Sequence, residues 1–208
     1  MVKIKICGIT NLEDALACAE LGVHAIGFIF AQSPRLVLPK TAKEICTKLP
    51  PFIIRVGVFV NSDIKSINDI SDFCRLDMVQ LHGAEAPEYC PKIKKRVIKA
   101  FRIKDENSLK LIPSFQADAY LLDTYVGGIM GGTGQTFDWS LAVKAKDFGR
   151  PIILSGGLNP QNVREAIKTV KPYAVDVGSG VESSPGKKDL NIVKKLIEAV
   201  RTTSQEIF

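Results

Sequence analysis

The chain has 208 residues, 46% of them hydrophobic, and a net charge of +6 at neutral pH. This length and hydrophobic content suit the core of one α/β domain, so we expect a single domain over residues 1–208. Five cysteines without a Cys-x-x-Cys spacing predict neither a disulfide framework nor a zinc site. No apolar run reaches the roughly 18 residues of a membrane span, so we expect a cytoplasmic protein with no membrane association.

The basic residues are densest in the segment 92–96, with the sequence Lys-Ile-Lys-Lys-Arg. No aromatic residues are interleaved with these charges, and no known nucleic-acid-binding module accompanies them, so we expect no nucleic-acid partner. Such runs are usually solvated faces of helices and strand edges. The excess charge would steer a small phosphorylated metabolite toward the protein.

Eight short β-rich runs recur along the chain, each followed by a stretch with helical patterning. They cover residues 2–7, 25–30, 54–60, 77–81, 97–101, 118–122, 151–154 and 173–177. Regular alternation of strand and helix predicts a parallel sheet, and eight repeats predict an α/β fold, a single-domain (β/α)8 TIM barrel near the lower size limit. An open, doubly wound sheet of six or seven strands is the alternative.

Cap residues, prolines and early acidic residues mark the start of a helix after each run. The predicted starts lie at Asn11, Pro39, Ser62-Asp63 and within 83–85, 104–106, 137–139, 158–160 and 188–189. Gly22 is expected to end the first helix, because glycine readily adopts the left-handed conformation that follows a helix.

Two reactive side chains stand at the ends of predicted strands. Cys7 closes the first run and is followed by Gly8, and Asp123 closes the sixth run. Barrel enzymes place their catalytic groups at the carboxyl ends of the strands. The thiol and the carboxylate are therefore a candidate acid/base pair.

Alternation along the strands predicts which side chains face the barrel axis. In the first run Ile4 and Ile6 are expected to face the helices, which leaves Lys5 and Cys7 facing the axis. A lysine inside the barrel needs a partner of opposite charge, and Asp176 in the eighth run is our candidate. The same rule directs the polar pair Gln80 and His82 toward the axis and its mouth.

Glycine-rich segments follow the last two runs. Gly156 and Gly157 follow the seventh run, and Gly178, Ser179 and Gly180 follow the eighth. Loops at these two positions often bind phosphate in barrels, because glycine lets backbone N–H groups approach an anion closely. Plain tight turns are the alternative interpretation.

A third glycine-rich segment, 127–136, follows the sixth run. It lacks the Gly-Lys-Ser/Thr ending of a Walker loop. We interpret it as a mobile lid beside Asp123.

Taken together, these motifs resemble the phosphoribosylanthranilate isomerase family of tryptophan biosynthesis, from one end of the chain to the other. The matching stretches are 5–10 (KICGIT), 57–61 (GVFVN), 79–83 (VQLHG), 121–124 (LLDT), 131–139 (GGTGQTFDW), 154–160 (LSGGLNP) and 176–182 (DVGSGVE). The resemblance implies a (β/α)8 barrel that uses no cofactor and no metal. It also implies an Amadori rearrangement, from N-(5-phosphoribosyl)anthranilate to 1-(2-carboxyphenylamino)-1-deoxyribulose 5-phosphate.

The resemblance also implies a role for individual residues. Cys7 corresponds to the family's general base, Asp123 to its general acid, and Arg35 to the arginine that holds the anthranilate carboxylate. His82 lines the mouth. The remaining substrate-binding positions are Asp176 in the eighth run and, in the two late loops, Gly156, Gly157, Gly178, Ser179 and Gly180. Gly178 departs from the pattern, because we expect serine there more often, and its effect on the phosphate site is open.

The chemistry sets requirements on these groups. Asp123 has to be protonated, which burial near other acids would achieve, and Cys7 needs a pKa lowered by cations such as Lys5. Arg35 follows the second strand, and we expect it opposite the phosphate loops, where the anthranilate end of the substrate would reach.

Two alternatives remain in other classes. A bifunctional isomerase that also accepts the histidine-pathway aminoaldose would usually carry aspartate in place of Cys7. A phosphate-sugar-binding barrel without catalysis would be expected to lack Cys7 or Asp123. The expected partner is a small phosphorylated substrate, and the chain is expected to be a monomer or a homodimer.

Overall fold

The structure is a computed structural model that describes residues 1–124 and 138–207. Its eight main strands are β1 (Lys3–Cys7), β2 (Ala25–Ile29), β3 (Ile54–Phe59), β4 (Met78–Leu81), β5 (Arg96–Ile103), β6 (Ala119–Thr124), β7 (Ile152–Leu154) and β8 (Ala174–Val177). Every predicted run is therefore a strand. The strands pair in parallel in chain order and β1 also pairs with β8, so the sheet closes into a barrel.

The α-helices lie between strands and after the last one. They are α1 (Leu12–Glu20), α2 (Pro39–Lys48), α3 (Ile64–Cys74), α4 (Trp139–Ala145), α5 (Val163–Val170) and α6 (Leu190–Ile207). The predicted caps are confirmed at Asn11 and Asp63, whose side chains accept the N–H of Asp14 and Ser66. Gly22 follows α1 with a φ of 83°, as expected for a helix stop.

The predicted α-helices after β4 and β5 were wrong. Within the described residues 82–95 the chain forms a 3₁₀ helix, Pro87–Lys92, and after β5 it forms two more, Glu106–Leu109 and Ile112–Ser114. Prolines at 91 and 113 lie inside these segments. Proline lacks the N–H that an α-helix needs, so these connections stay short and tight. The predicted lid and Phe137 lie outside the described residues.

Alternation along β1 sorts its side chains as predicted. Ile4 and Ile6 are buried in the large apolar cluster that also holds helix residues such as Cys18 and Ile197. A smaller apolar cluster of strand residues fills the inside of the barrel: Ala25, Val56, Ile98, Ala100, Ala119, Leu121, Ile153 and Ala174. The polar residues near the carboxyl ends of the strands lie above this filling, at the mouth.

After β8 the chain forms a hairpin that the sequence did not predict. Its strands are β9 (Glu182–Ser184) and β10 (Lys187–Lys188), and Gly186 turns between them with a φ of 84°. The hairpin leads directly into α6. Among the described residues, no helix is both long enough and apolar enough to cross a membrane.

Candidate active site

A cavity of about 460 Å³ opens at the carboxyl ends of the barrel strands. The ten residues predicted for the site all line it: Cys7, Arg35, His82, Asp123, Gly156, Gly157, Asp176, Gly178, Ser179 and Gly180. They come from strands and loops spread around the barrel, so the closed topology is what brings them together.

Cys7 is the last residue of β1, and only 9% of its surface is exposed. Burial raises the pKa of the thiol above its ordinary value, while the positive charges of Lys5 and Lys188 act in the opposite direction. The expected net lowering of the Cys7 pKa is therefore wrong for the protein alone. Burial outweighs the two cations, because a thiolate loses more hydration than they return.

Lys5 and Asp176 meet across the seam where β1 pairs with β8. Lys5 Nζ donates a hydrogen bond of 2.8 Å to Asp176 Oδ1, and both side chains are at least 95% buried. This confirms the partner predicted for the inward-facing lysine. Burial alone would lower the pKa of Lys5, but the carboxylate of Asp176 raises it above the ordinary value. Lys5 therefore acts on Cys7 together with the Asp176 carboxylate, which raises the pKa of the thiol and so opposes the effect of the ammonium group.

A chain of hydrogen bonds leads from the barrel interior to Asp123. Gln80 Nε2 lies 2.7 Å from His82 Nδ1, and His82 Nε2 lies 3.2 Å from Asp123 Oδ2. The other carboxylate oxygen, Oδ1, accepts the N–H of Thr124 at 2.9 Å. The polar pair on β4 thus faces the mouth, as alternation predicted. His82 orients the carboxylate of Asp123 in the wall of the cavity.

The two late glycine loops lie side by side. Gly156 and Gly157 both have positive φ, 86° and 64°, and their N–H groups have no acceptor among the described residues. A Cβ atom on Gly180 would lie 2.0 Å from the Leu158 carbonyl oxygen, so the loops after β7 and β8 are in close contact. Only glycine permits this approach. The loops can present backbone donors to an anion.

We had expected Arg35 to lie opposite these loops, but it lies next to the loop after β8. Its guanidinium forms an ion pair with Glu182, just beyond the loop after β8, through bonds of 2.9 Å and 3.0 Å from Nε and 2.7 Å from Nη2. The reason is topological. Strands β2 and β8 both pair with β1, so the loops that follow them are near neighbours.

Two further polar residues of the site were missed by the sequence analysis. Lys188 Nζ is fully buried and donates to Glu182 Oε1 at 2.8 Å, to the Cys7 carbonyl at 2.7 Å and to the Gly178 carbonyl at 3.2 Å. Burial alone would raise the pKa of Glu182, but hydrogen bonds from Arg35 and Lys188 hold it below the ordinary value. Glu182 is therefore an ionised carboxylate shared by two cations.

Within residues 1–124 and 138–207, no group of three or more His, Cys, Asp or Glu side chains is arranged to hold a metal ion. What the cavity does offer is a thiol and a carboxylate in its lining, backbone donors for an anion, and a guanidinium. These groups can move protons and bind a ligand that carries negative charge.

Comparison with known proteins identifies relatives of this chain. The model of the N-(5'-phosphoribosyl)anthranilate isomerase family matches residues 4–199. The isomerase of Geobacter sulfurreducens is 55% identical over 202 residues, which cover 97% of this chain and 99% of the relative. The crystal structure of the Thermotoga maritima isomerase superposes with a TM-score of 0.91 at 47% identity, and covers 97% of this chain and 100% of its own.

A further isomerase structure has been solved in complex with reduced 1-(o-carboxyphenylamino)-1-deoxyribulose 5-phosphate. It is 45% identical to this chain, covers 97% of it and 100% of its own length, and has a TM-score of 0.87. These likenesses extend over nearly the whole of each chain.

Proposed function

Because the chain belongs to the N-(5'-phosphoribosyl)anthranilate isomerase family, we propose that its cavity converts N-(5-phosphoribosyl)anthranilate to 1-(2-carboxyphenylamino)-1-deoxyribulose 5-phosphate. The observation that carries this proposal is the placement of Cys7 and Asp123 in one cavity with the two glycine loops. An Amadori rearrangement of this substrate needs a general acid, a general base and a binding site for the phosphate. The cavity has a group for each task.

The reaction proceeds through two proton transfers. Asp123, in its protonated form, donates to the ribose ring oxygen as the bond from C1 to that oxygen breaks, which leaves an iminium ion at C1. The thiolate of Cys7 then removes the proton from C2, and the electrons of that bond form the enolamine. Loss of the proton on the C2 hydroxyl and gain of a proton at C1 give the ketose.

The environment of Cys7 suits a base that acts late. Burial keeps the thiol protonated in the protein alone, and Lys5 and Lys188 lessen that effect. The iminium formed by ring opening adds a further positive charge next to the thiol, which favours the thiolate at the step that uses it. A thiol that ionises only beside the intermediate is less exposed to side reactions.

The two ends of the substrate are bound by different chemistry. The N–H groups of Gly156 and Gly157, with the loop that holds Ser179 and Gly180, suit the phosphate. Arg35 suits the anthranilate carboxylate, because a guanidinium binds a carboxylate through parallel hydrogen bonds. Arg35 and the glycine loops lie on neighbouring parts of the rim, so we infer that the substrate curves over Cys7.

The rival functions make different demands on the site. A bifunctional isomerase would usually carry aspartate in place of Cys7, and a barrel that only binds would have no need of both catalytic groups. We infer one cytoplasmic domain over residues 1–208, since β1 and β8 must pair to close the barrel. A dimeric form is described for the Thermotoga maritima protein, and the choice between monomer and homodimer remains a prediction for this chain.

The test is consumption of phosphoribosylanthranilate made in situ, followed by loss of its fluorescence. Cys7→Ala and Asp123→Asn should each lower kcat by about 10²- to 10⁴-fold, the range for one general acid or base, with little change in Tm. Cys90→Ala is the matched control, since Cys90 is buried in a 3₁₀ helix away from the cavity. Near wild-type turnover in either catalytic variant would remove that residue from the mechanism.

A further inference from the structure

Arg35, Glu182 and Lys188 form a cluster at the rim of the cavity. Glu182 is bound by Arg35 from one side and by Lys188 from the other, at distances between 2.7 and 3.0 Å. The exposed fractions of the three side chains are 17%, 4% and 0%. A carboxylate this buried, with two cations on it, is held in one orientation, and so is the guanidinium that it binds.

The hairpin after β8 supplies Glu182, which binds Arg35, and Lys188, which binds Glu182. Glu182 lies on β9 and Lys188 lies opposite it on β10. Lys188 also donates to the carbonyls of Cys7 and Gly178. One buried ammonium group therefore connects the end of β1, the loop after β8 and the carboxylate that orients Arg35.

The side chain of Arg35 is also fixed along its stem. Gly8 has a φ of 77°, and a Cβ atom there would lie 2.7 Å from Arg35 Cδ, so the aliphatic part of the arginine packs directly on this glycine. Glu182 uses Nε and Nη2, and among the described residues no acceptor is bound to Nη1. The guanidinium keeps donors for a second carboxylate on its other edge.

The members of the cluster differ in how far the cavity reaches them. Two cations share the carboxylate of Glu182, and the buried carboxylate of Asp14 accepts the backbone N–H of Lys188 at 2.8 Å. Arg35 has the most exposed side chain of the three and lines the cavity, so it is the cation that a further negative group can reach. The carboxylate of an anthranilate group is such a negative group.

We propose that Glu182 is a positioning residue, which holds Arg35 so that its free edge receives the ring carboxylate of the substrate, and that Lys188 fixes Glu182 in place. The inference rests on the role proposed for Arg35. Because Glu182 acts through Arg35, its loss should affect only the part of binding that depends on the ring carboxylate.

The experiment compares Glu182→Gln with wild type on two substrates. One is phosphoribosylanthranilate, and the other is its analogue without the carboxylate, formed from aniline and ribose 5-phosphate. Glu182→Gln should raise KM for the first substrate by about 10-fold and change kcat by less than about 3-fold. KM for the aniline analogue and the inhibition constant of inorganic phosphate should both stay within about 2-fold of wild type.

Two further variants control for charge and folding. Asp77→Asn neutralises the carboxylate that binds another arginine, Arg55. The hydrogen bonds of that pair, 2.8 and 2.7 Å long, are similar to those between Arg35 and Glu182, but the pair lies at the opposite end of the barrel. It should change neither substrate's KM. Glu182→Asp keeps the charge of the cluster and withdraws the carboxylate by one methylene. It should show the same selective loss, and it replaces Glu182→Gln if that variant does not fold.

The outcomes separate this inference from the proposed function. If Arg35→Ala discriminates between the two substrates and the Glu182 variants do not, the positioning role is wrong and the role of Arg35 stands. If Arg35→Ala affects both substrates alike, the roles proposed for Arg35 and for Glu182 are both wrong, while turnover of phosphoribosylanthranilate by wild type still supports the proposed function. Equal losses on both substrates and on phosphate inhibition in Glu182→Gln would show a structural role only.

Discussion

Cys7 illustrates how opposing effects at one residue set its reactivity. The thiol lies between two buried cations, Lys5 and Lys188, yet burial dominates and its pKa lies above the ordinary value. A nucleophile or base at neutral pH is usually expected to have a lowered pKa. The raised pKa of Cys7 is compatible with its role as a base if the thiolate is needed only after ring opening, when the iminium supplies additional positive charge.

The raised pKa predicts the pH dependence of the reaction. Cys7 acts as a base in its deprotonated form, so activity is lost as pH falls below its pKa, and a raised pKa moves that loss to higher pH. Protonated Asp123 is needed by wild type and by Cys7→Asp alike, so the ratio of their kcat/KM values isolates the base. Because the base in Cys7→Asp is already ionised over this range, the ratio of wild type to Cys7→Asp should rise from about pH 6 to about pH 9, as the thiolate fraction grows. A ratio that does not change with pH would show that thiol ionisation does not limit the reaction.

At the scale of loops, the two glycine segments differ in how much room each position has. A Cβ atom on Gly180 would lie 2.0 Å from the Leu158 carbonyl oxygen, whereas a Cβ atom on Gly178 would meet only the Cys7 carbonyl oxygen, at 3.8 Å. The first distance is a severe clash with backbone and the second is an ordinary contact. Packing therefore does not require glycine at position 178, where we expect serine more often in the family.

These distances predict opposite results for two similar substitutions. Gly178→Ser should keep the free energy of unfolding within about 0.5 kcal/mol of wild type and tighten inhibition by inorganic phosphate, since its hydroxyl adds a donor. Gly180→Ser should lower the free energy of unfolding by about 1–3 kcal/mol and weaken phosphate inhibition. Urea denaturation and inhibition assays measure both quantities. Equal effects of the two substitutions would contradict this account of the loops.

The sequence revealed most of the elements because their signals are local. Each strand is a short β-rich run, and a cap such as Asp63 lies within one turn of the N–H that it accepts. The absence of α-helices after β4 and β5 also has a local signal, since Pro91 and Pro113 disfavour an α-helix there. These prolines deserved more weight than the apolar spacing around them.

The site was only partly predictable, for a physical reason. Residues at strand ends, such as Cys7 and Asp123, can be placed together once the closed barrel is assumed. Contacts between side chains of different loops have no such rule. Arg35 binds Glu182 across 147 positions and Lys188 binds the Cys7 carbonyl across 181 positions, and no periodicity marks either pair. The position of Arg35 therefore emerged only from the structure.

For the whole molecule, closure of the barrel depends on the seam between its first and last strands. Lys5 and Asp176 lie opposite each other in this seam and form a buried ion pair that spans 171 positions. The pair lies above the apolar filling of the barrel and below Cys7. The same two residues therefore lie at the closing seam and act electrostatically on Cys7.

Removal of one partner should be costly because the other remains buried without a counter-ion. Lys5→Met should lower the free energy of unfolding by about 3–5 kcal/mol, the range for breaking a buried pair. The exposed pair formed by Lys65 and Asp69 provides the control, since both groups are well hydrated, and Lys65→Met should leave Tm unchanged. The raised pKa of Lys5 means that its stabilisation is fully present at neutral pH and is lost only as pH rises through that value. Equal Tm values for Lys5→Met and wild type at neutral pH would show that the barrel closes without this pair.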